Sequence, residues 1–344
     1  MRCFREFSFV CVITACAALV QATCIAPAQS EAPGPSAAEV KQSIALVRSS
    51  DVNDEIISRT RSLGQFLLRV GRFAEAADLF AALAEKKPAD FTIVYGQALA
   101  TFNSGHAAEA EPLARKAMEI ILPFADREPE RISQAADSLV LLSVILAVQK
   151  DDQAALKLLQ QAVQIAPNHF DAQLSMGRLL FGMGDDNGAI KYFRTAVSLH
   201  PENSQAMFFL ATALEHAGDI EGAVSSYGKL ATTRPDLYEG HLGLGSLLLK
   251  QGDKEIDEGL KELARALEIN PNLYEARVAL GRALIARGQP LQAITHLRRA
   301  AELAPQNPEP HYQLSLAYRR LGQGDAAAQE AAIVKRINES RRVR

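Results

Sequence analysis

FDAQLSMGRLLFGMGDDNGAIKYFRTAVSLHPEN, from Phe170 to Asn203, runs straight into SQAMFFLATALEHAGDIEGAVSSYGKLATTRPDL, from Ser204 to Leu237. Each segment has 34 residues and the two share a pattern. The eighth position is small (Gly177, Ala211), and the fifteenth is glycine (Gly184, Gly218). The twentieth is alanine (Ala189, Ala223), the twenty-fourth a large ring (Phe193, Tyr227), and the thirty-second proline (Pro201, Pro235). The proline beat continues outward through Pro167, Pro271 and Pro305, at intervals of 34 residues with a single interval of 36. Such a period marks stacked helix-turn-helix units. Each unit packs only on its neighbours, so the chain escapes the size limit of a single core.

The register extends over eight units. Position 8 reads Gly64, Ala98, Ser143, Gly177, Ala211, Gly245, Gly281 and Ser315, small throughout as a close helix approach requires. Position 15 ends the first helix of each unit. It is glycine everywhere except Lys150, because a helix commonly stops on a left-handed residue. Position 24 supplies the plug, as Phe80, Leu159, Phe193, Tyr227, Leu263 and Leu297. Proline then breaks the second helix and opens the next unit.

These positions resemble the tetratricopeptide repeat family over roughly residues 57–340. The family implies an all-α, right-handed superhelical solenoid of about eight hairpins with an inner groove. Its members mostly serve as scaffolds for peptides or partner proteins. Position 4, often tryptophan in the family, is never tryptophan here, since the chain has none. Units 1 and 2 occupy 57–122, and unit 2 is the weakest, with Gln97 in place of leucine and Pro112 in its second helix. Residues 123–135 form an insertion, with Pro129 expected near the start of an extended helix. Units 3 to 8 occupy 136–340. The two extra residues of unit 6 fall around Asp253–Glu258, in a turn, where they cost little.

Before the array, residues 1–28 read as a secretory signal. Arg2 and Arg5 precede an apolar run from Phe7 to Val20, and Ala26-Pro27-Ala28 is a cleavage candidate. Contact with a membrane is expected only if this segment stays uncleaved or if Cys16 is lipidated. All four cysteines (Cys3, Cys11, Cys16, Cys24) lie inside it, so an exported product would carry none. The expected location is a periplasm, a cell envelope or the outside of the cell. Residues 29–35 are a spacer. Residues 36–50 are a capping helix that opens on a Ser36–Glu39 capping box, with Val40, Ile44 and Val47 on one face. Residues 341–344 are a basic tail.

The formal net charge is −3, and losing Arg2, Arg5 and Glu6 leaves −4, which argues against a nucleic-acid partner. No phosphate loop, zinc helix, nucleophile elbow or haem-attachment motif occurs. Gly243-Leu244-Gly245 sits at repeat positions inside a first helix and reads as packing. Asp185-Asp186-Asn187-Gly188 reads as a polar interhelical turn, since an EF-hand register would place Arg194 at the bidentate position. The seven histidines are scattered and read as solvated or local packing residues. No catalytic residue, cofactor or metal is therefore expected, and the chain reads as non-enzymatic.

In the family, the groove is lined by the first helices at positions 2, 5, 9, 12 and 13. Position 5 is apolar from unit 3 onward: Val140, Leu174, Phe208, Leu242, Val278, Tyr312. Arg178 and Arg282 stand at position 9, and Phe181 and Arg319 at position 12. The arginines suit bidentate pairing with carboxylates, and Phe181, Phe208 and Tyr312 suit aromatic anchoring. The lysine and asparagine of the family's carboxylate clamp occur at positions 5 and 9 of no unit. Candidate partner contacts are thus Leu174, Arg178, Phe181, Phe208, Leu242, Arg282, Tyr312 and Arg319, toward an apolar peptide or helix with some acidic residues. The stronger competing reading of apolar position 5 is packing between repeats, since unexplained apolar stripes are usually core. The alternative role is structural: a part of a secretion, pilus or envelope-polysaccharide machine, acting through its ends or as a homo-oligomer.

Overall fold

The computed structural model describes residues 34–49, 52–125, 128–252 and 255–342. Residues 1–28, expected to be a signal, Cys16 among them, most of the expected spacer and the last two residues of the expected basic tail lie outside them. Among the described residues there are seventeen α-helices and no strand. The chain divides into two compact units, one ending at Asn203 and one beginning at Ser204. The division falls between repeats 4 and 5.

In the first unit, α1 (Ala37–Arg48) packs on α2 (Asp54–Arg69) and α3 (Phe73–Lys86), which form repeat 1. Repeats 2, 3 and 4 are α4 (Phe91–Asn103) with α5 (Ala107–Ile121), α6 (Pro129–Val148) with α7 (Asp152–Ile165), and α8 (Phe170–Met183) with α9 (Asp186–Leu199). The capping box opens α1 as expected. Glu39 N–H donates to Ser36 Oγ at 3.2 Å, and Ser36 N–H donates to Glu39 Oε2 at 2.6 Å. Val40 and Val47 bury the inner face of α1. Pro112 is carried inside α5 without ending it. The 123–135 insertion divides in two. A 3-10 turn spans Leu122–Phe124, and from Pro129 onward the residues already belong to α6. Arg131 lies 5.2 Å over the Phe124 ring. By length and apolarity α6 could cross a bilayer, but half of its apolar window is buried in the stack, as suits a core helix.

In the second unit, repeats 5 to 8 follow in order. They are α10 (Ser204–Ala217) with α11 (Ile220–Thr233), and α12 (Tyr238–Gln251) with α13 (Ile256–Ile269). Then come α14 (Tyr274–Ala286) with α15 (Pro290–Leu303), and α16 (Pro308–Arg320) with α17 (Gly324–Arg342). The last helix runs through Arg342, so the basic tail expected at 341–344 begins as helix. Arg341 Nη2 donates to the Gln306 carbonyl at 2.6 Å.

The small-residue rule has a direct cause. A Cβ on Gly177 would lie 2.6 Å from the Phe193 ring, and one on Gly281 2.5 Å from Leu297. Phe80 is pressed from both sides, by Gly64 of its own hairpin and Gly96 of the next, each 2.7 Å from the ring by the same measure. Gly243 approaches Tyr227 and Gly245 approaches Leu263, so the Gly-Leu-Gly triplet is packing. Every position-15 glycine has positive φ, and Lys150 adopts the same left-handed turn at φ 69°.

Candidate functional site

Turns of three or four residues join most of the helices. Short connections make sequence neighbours antiparallel, so within each unit the first helices of successive repeats point the same way. They also touch one another: α4, α6 and α8 in the first unit, and α12, α14 and α16 in the second. Residues at one repeat position are thereby set side by side.

In the first unit, Leu174 is 5% exposed and belongs to the packing. Arg178 and Phe181 are half-buried on the same helix, α8. Beside them lies a polar group that motif reading passed over. His169 caps α8 by accepting from Ala172 N–H at Nδ1, which leaves the Nε2 proton for Asp137 Oδ1 at 3.2 Å. That bond raises the His169 pKa, against the opposing pull of burial. Burial raises the Asp171 carboxyl, and Tyr95 is pushed well above its ordinary range by burial and by Asp137 and Asp171.

In the second unit, α12, α14 and α16 bring Leu242, Arg282, Tyr312 and Arg319 onto neighbouring helices. Leu242 is half-buried against the cluster around Leu263 and Leu280. Val278 is buried, whereas Tyr312 is 50% exposed. Arg282 and Arg319 are exposed and have no ionic partner among the described residues. Phe208, on α10, is half-buried and packs edge-on to Tyr227 at 6.4 Å between ring centres. The Tyr227 hydroxyl, 3.1 Å from Thr212 Oγ1, is pushed up to about 12, chiefly by burial.

Position 2 carries a second pattern that the sequence alone displays. In repeats 6 to 8 it is Glu239, Glu275 and Glu309. Glu239 and Glu275 each follow a tyrosine at position 1, whereas Glu309 follows Pro308. Tyr238 is raised by burial and then by Glu239 and Glu275, and Tyr274 reaches about 12 by burial and then Glu309 and Glu275. The histidines at position 4 of repeats 6 and 8 join the two helices of their hairpins. His241 Nδ1 lies 2.6 Å from Glu262, and His311 Nδ1 lies 2.6 Å from Glu330. Each histidine is thus held within its own hairpin. Asp185 caps α9 by accepting from Gly188 N–H at 2.9 Å, which makes the acidic run a helix start. Among the described residues no group of three metal-ligating side chains is arranged around a common point.

Two family models match the chain. One, described as tetratricopeptide repeat, covers residues 62–126 and 174–238, and another, described as TPR repeat, covers residues 281–322. No curated protein matches the sequence. Among solved structures, the C-terminal part of a TPR repeat-containing protein from Cytophaga hutchinsonii is 17% identical, with a TM-score of 0.56. The match covers 74% of this chain and 99% of that one. MamA from Desulfovibrio magneticus RS-1, from residue 41 to its end, is 21% identical at a TM-score of 0.47, over 50% of this chain and 96% of its own. YrrB, described as a TPR protein with an unusual peptide-binding site, is 18% identical at 0.46, over 52% and 91%. With hairpin register, helix stops and interlocking plugs all in place, this chain belongs to the tetratricopeptide repeat family, whose members serve in general as protein-interaction scaffolds.

Proposed function

We propose that the chain is an exported, non-catalytic scaffold that holds a peptide or helix of a partner protein on the first-helix face of its repeats. The observation that carries this reading is the contrast along position 5 of the second unit. Val278 is buried, while Tyr312 stands 50% exposed on the helix that carries Arg319 and next to the helix that carries Arg282, both arginines without ionic partners among the described residues. An aromatic ring with arginine neighbours is the composition of an interaction hot spot. The reading of residues 1–28 as a signal supports export, and mass measurement of the chain from fractionated cells tests it. A chain that keeps residues 1–28 in the cytoplasm would contradict export.

The partner surface is tested by affinity capture from envelope extracts, comparing the native chain with a Tyr312→Ala, Arg282→Ala, Arg319→Ala variant. All three side chains are exposed, so the melting temperature is expected to hold while captured proteins are lost. An identical captured set would contradict the assignment. The rival role, assembly through an array end, finds little support on α17, the last helix. The exposed residues of α17 include Asp325, Gln329, Lys335, Arg336, Asn338 and Glu339, so its outer face is largely polar.

A further inference from the structure

Helix dipoles favour acids at helix N-termini and bases at C-termini. Where first helices lie in parallel, those preferences add up into two opposed edges. In the second unit, Glu239, Glu275 and Glu309 stand in the first turns of α12, α14 and α16. Arg282 and Arg319 stand further along α14 and α16, and Tyr312 lies between Glu309 and Arg319 in the same helix. Two other basic residues near these helices are already paired. Lys250 pairs with Glu215 at 3.1 Å and Arg287 with Asp257 at 2.6 Å, near the basic side. No ion pair among the described residues engages Glu239, Glu275, Glu309, Arg282 or Arg319. Glu239 also keeps a buried carboxylate oxygen, and Tyr274 a buried hydroxyl, without a hydrogen-bond partner among the described residues.

The spacing selects an occupant. Glu275 and Arg282 are separated by about 10 Å of helix rise, and Glu309 and Arg319 by about 15 Å. An α-helix with its side chains is about 10–12 Å across, so one helix fits between the edges. Three adjacent first helices at about 8–10 Å spacing present a track of roughly 16–20 Å, which about 11–13 helical residues would span.

We propose that the second unit's first-helix face receives an amphipathic helix of a partner protein whose apolar stripe is flanked by basic residues on one side and acidic residues on the other. The basic flank meets the glutamates, the acidic flank meets Arg282 and Arg319, and Tyr312 contacts the stripe. Because the edges differ in sign, the charge order of the ligand sets the direction in which it lies. This inference rests on the scaffold reading above and narrows it to one class of ligand.

The test is a displayed library of random 16-residue peptides, selected against the full chain. Recovered sequences are expected to combine an apolar helical stripe with Lys or Arg on one flank and Asp or Glu on the other. Their binding is expected to weaken about tenfold in a Glu239→Gln, Glu275→Gln chain of unchanged melting temperature. It should weaken similarly in an Arg282→Gln, Arg319→Gln chain. Recovered peptides carrying one sign of charge, or affinities that ignore both variants, would overturn the two-edged surface while leaving peptide binding in place. Recovery of no binder would overturn both readings.

Discussion

At the scale of single residues, the fold rests on contacts that one methyl group would spoil. Gly177 and Gly228 are both helical glycines, and their surroundings differ. A Cβ at Gly177 meets the buried Phe193 ring at 2.6 Å, while one at Gly228 finds only Leu244, at 4.0 Å. Gly177→Ala is therefore expected to lose about 1–2 kcal/mol through overpacking. Gly228→Ala is expected to gain about 0.5–1 kcal/mol from helix propensity and a less flexible unfolded chain. Urea titrations of the two variants check the opposite signs. His169 offers a pH test. Its folded pKa is raised above 6.5 chiefly by the Asp137 bond. A raised histidine contributes stability that is complete below the unfolded value and is lost as pH climbs through the folded one. NMR titration should find His169 above 6.5 and find it lowered in Asp137→Asn. An unchanged value in the variant would refute the assigned cause.

At the scale of elements, the helix stops were legible because their chemistry is local. Seven glycines at positive φ close first helices, and Lys150 closes the eighth at φ 69° despite its Cβ. Left-handed backbone costs a non-glycine residue about 1–2 kcal/mol. Glycine returns about half of that as unfolded-chain entropy. Lys150→Gly is thus expected to stabilise the first unit by about 0.5–1 kcal/mol in chemical denaturation, and a loss of stability would contradict the assigned cap. Burial was less legible. Leu174 and Tyr312 share position 5, yet one is 5% and the other 50% exposed. A repeat register says where a side chain leaves its helix. What covers it depends on the bulk of the neighbouring helices, which the register does not state. The same limit hid the His241–Glu262 and His311–Glu330 bonds, whose partners lie 21 and 19 residues apart.

At the scale of the whole molecule, eight repeats were countable from the sequence, but the division at Asn203 was not. The period passes through Pro201 unaltered, so the repeat pattern carries no mark of the division. The second unit carries its own core, with Leu263, Leu280, Leu297 and Leu314 all buried. Residues 204–344 expressed alone are therefore expected to be helical by circular dichroism and to melt cooperatively; a non-cooperative melt would contradict a self-sufficient unit. The acidic edge went unread for a simpler reason. Glutamate in a first turn is ordinary helix chemistry, and its meaning emerges only when three such turns lie side by side. The central claim is that ligands meet the first helices. Hydrogen–deuterium exchange of the full chain, with and without a peptide recovered from the library, tests this directly. Added protection is expected to concentrate in α12, α14 and α16. Protection confined to the second helices, or to α17, would contradict it.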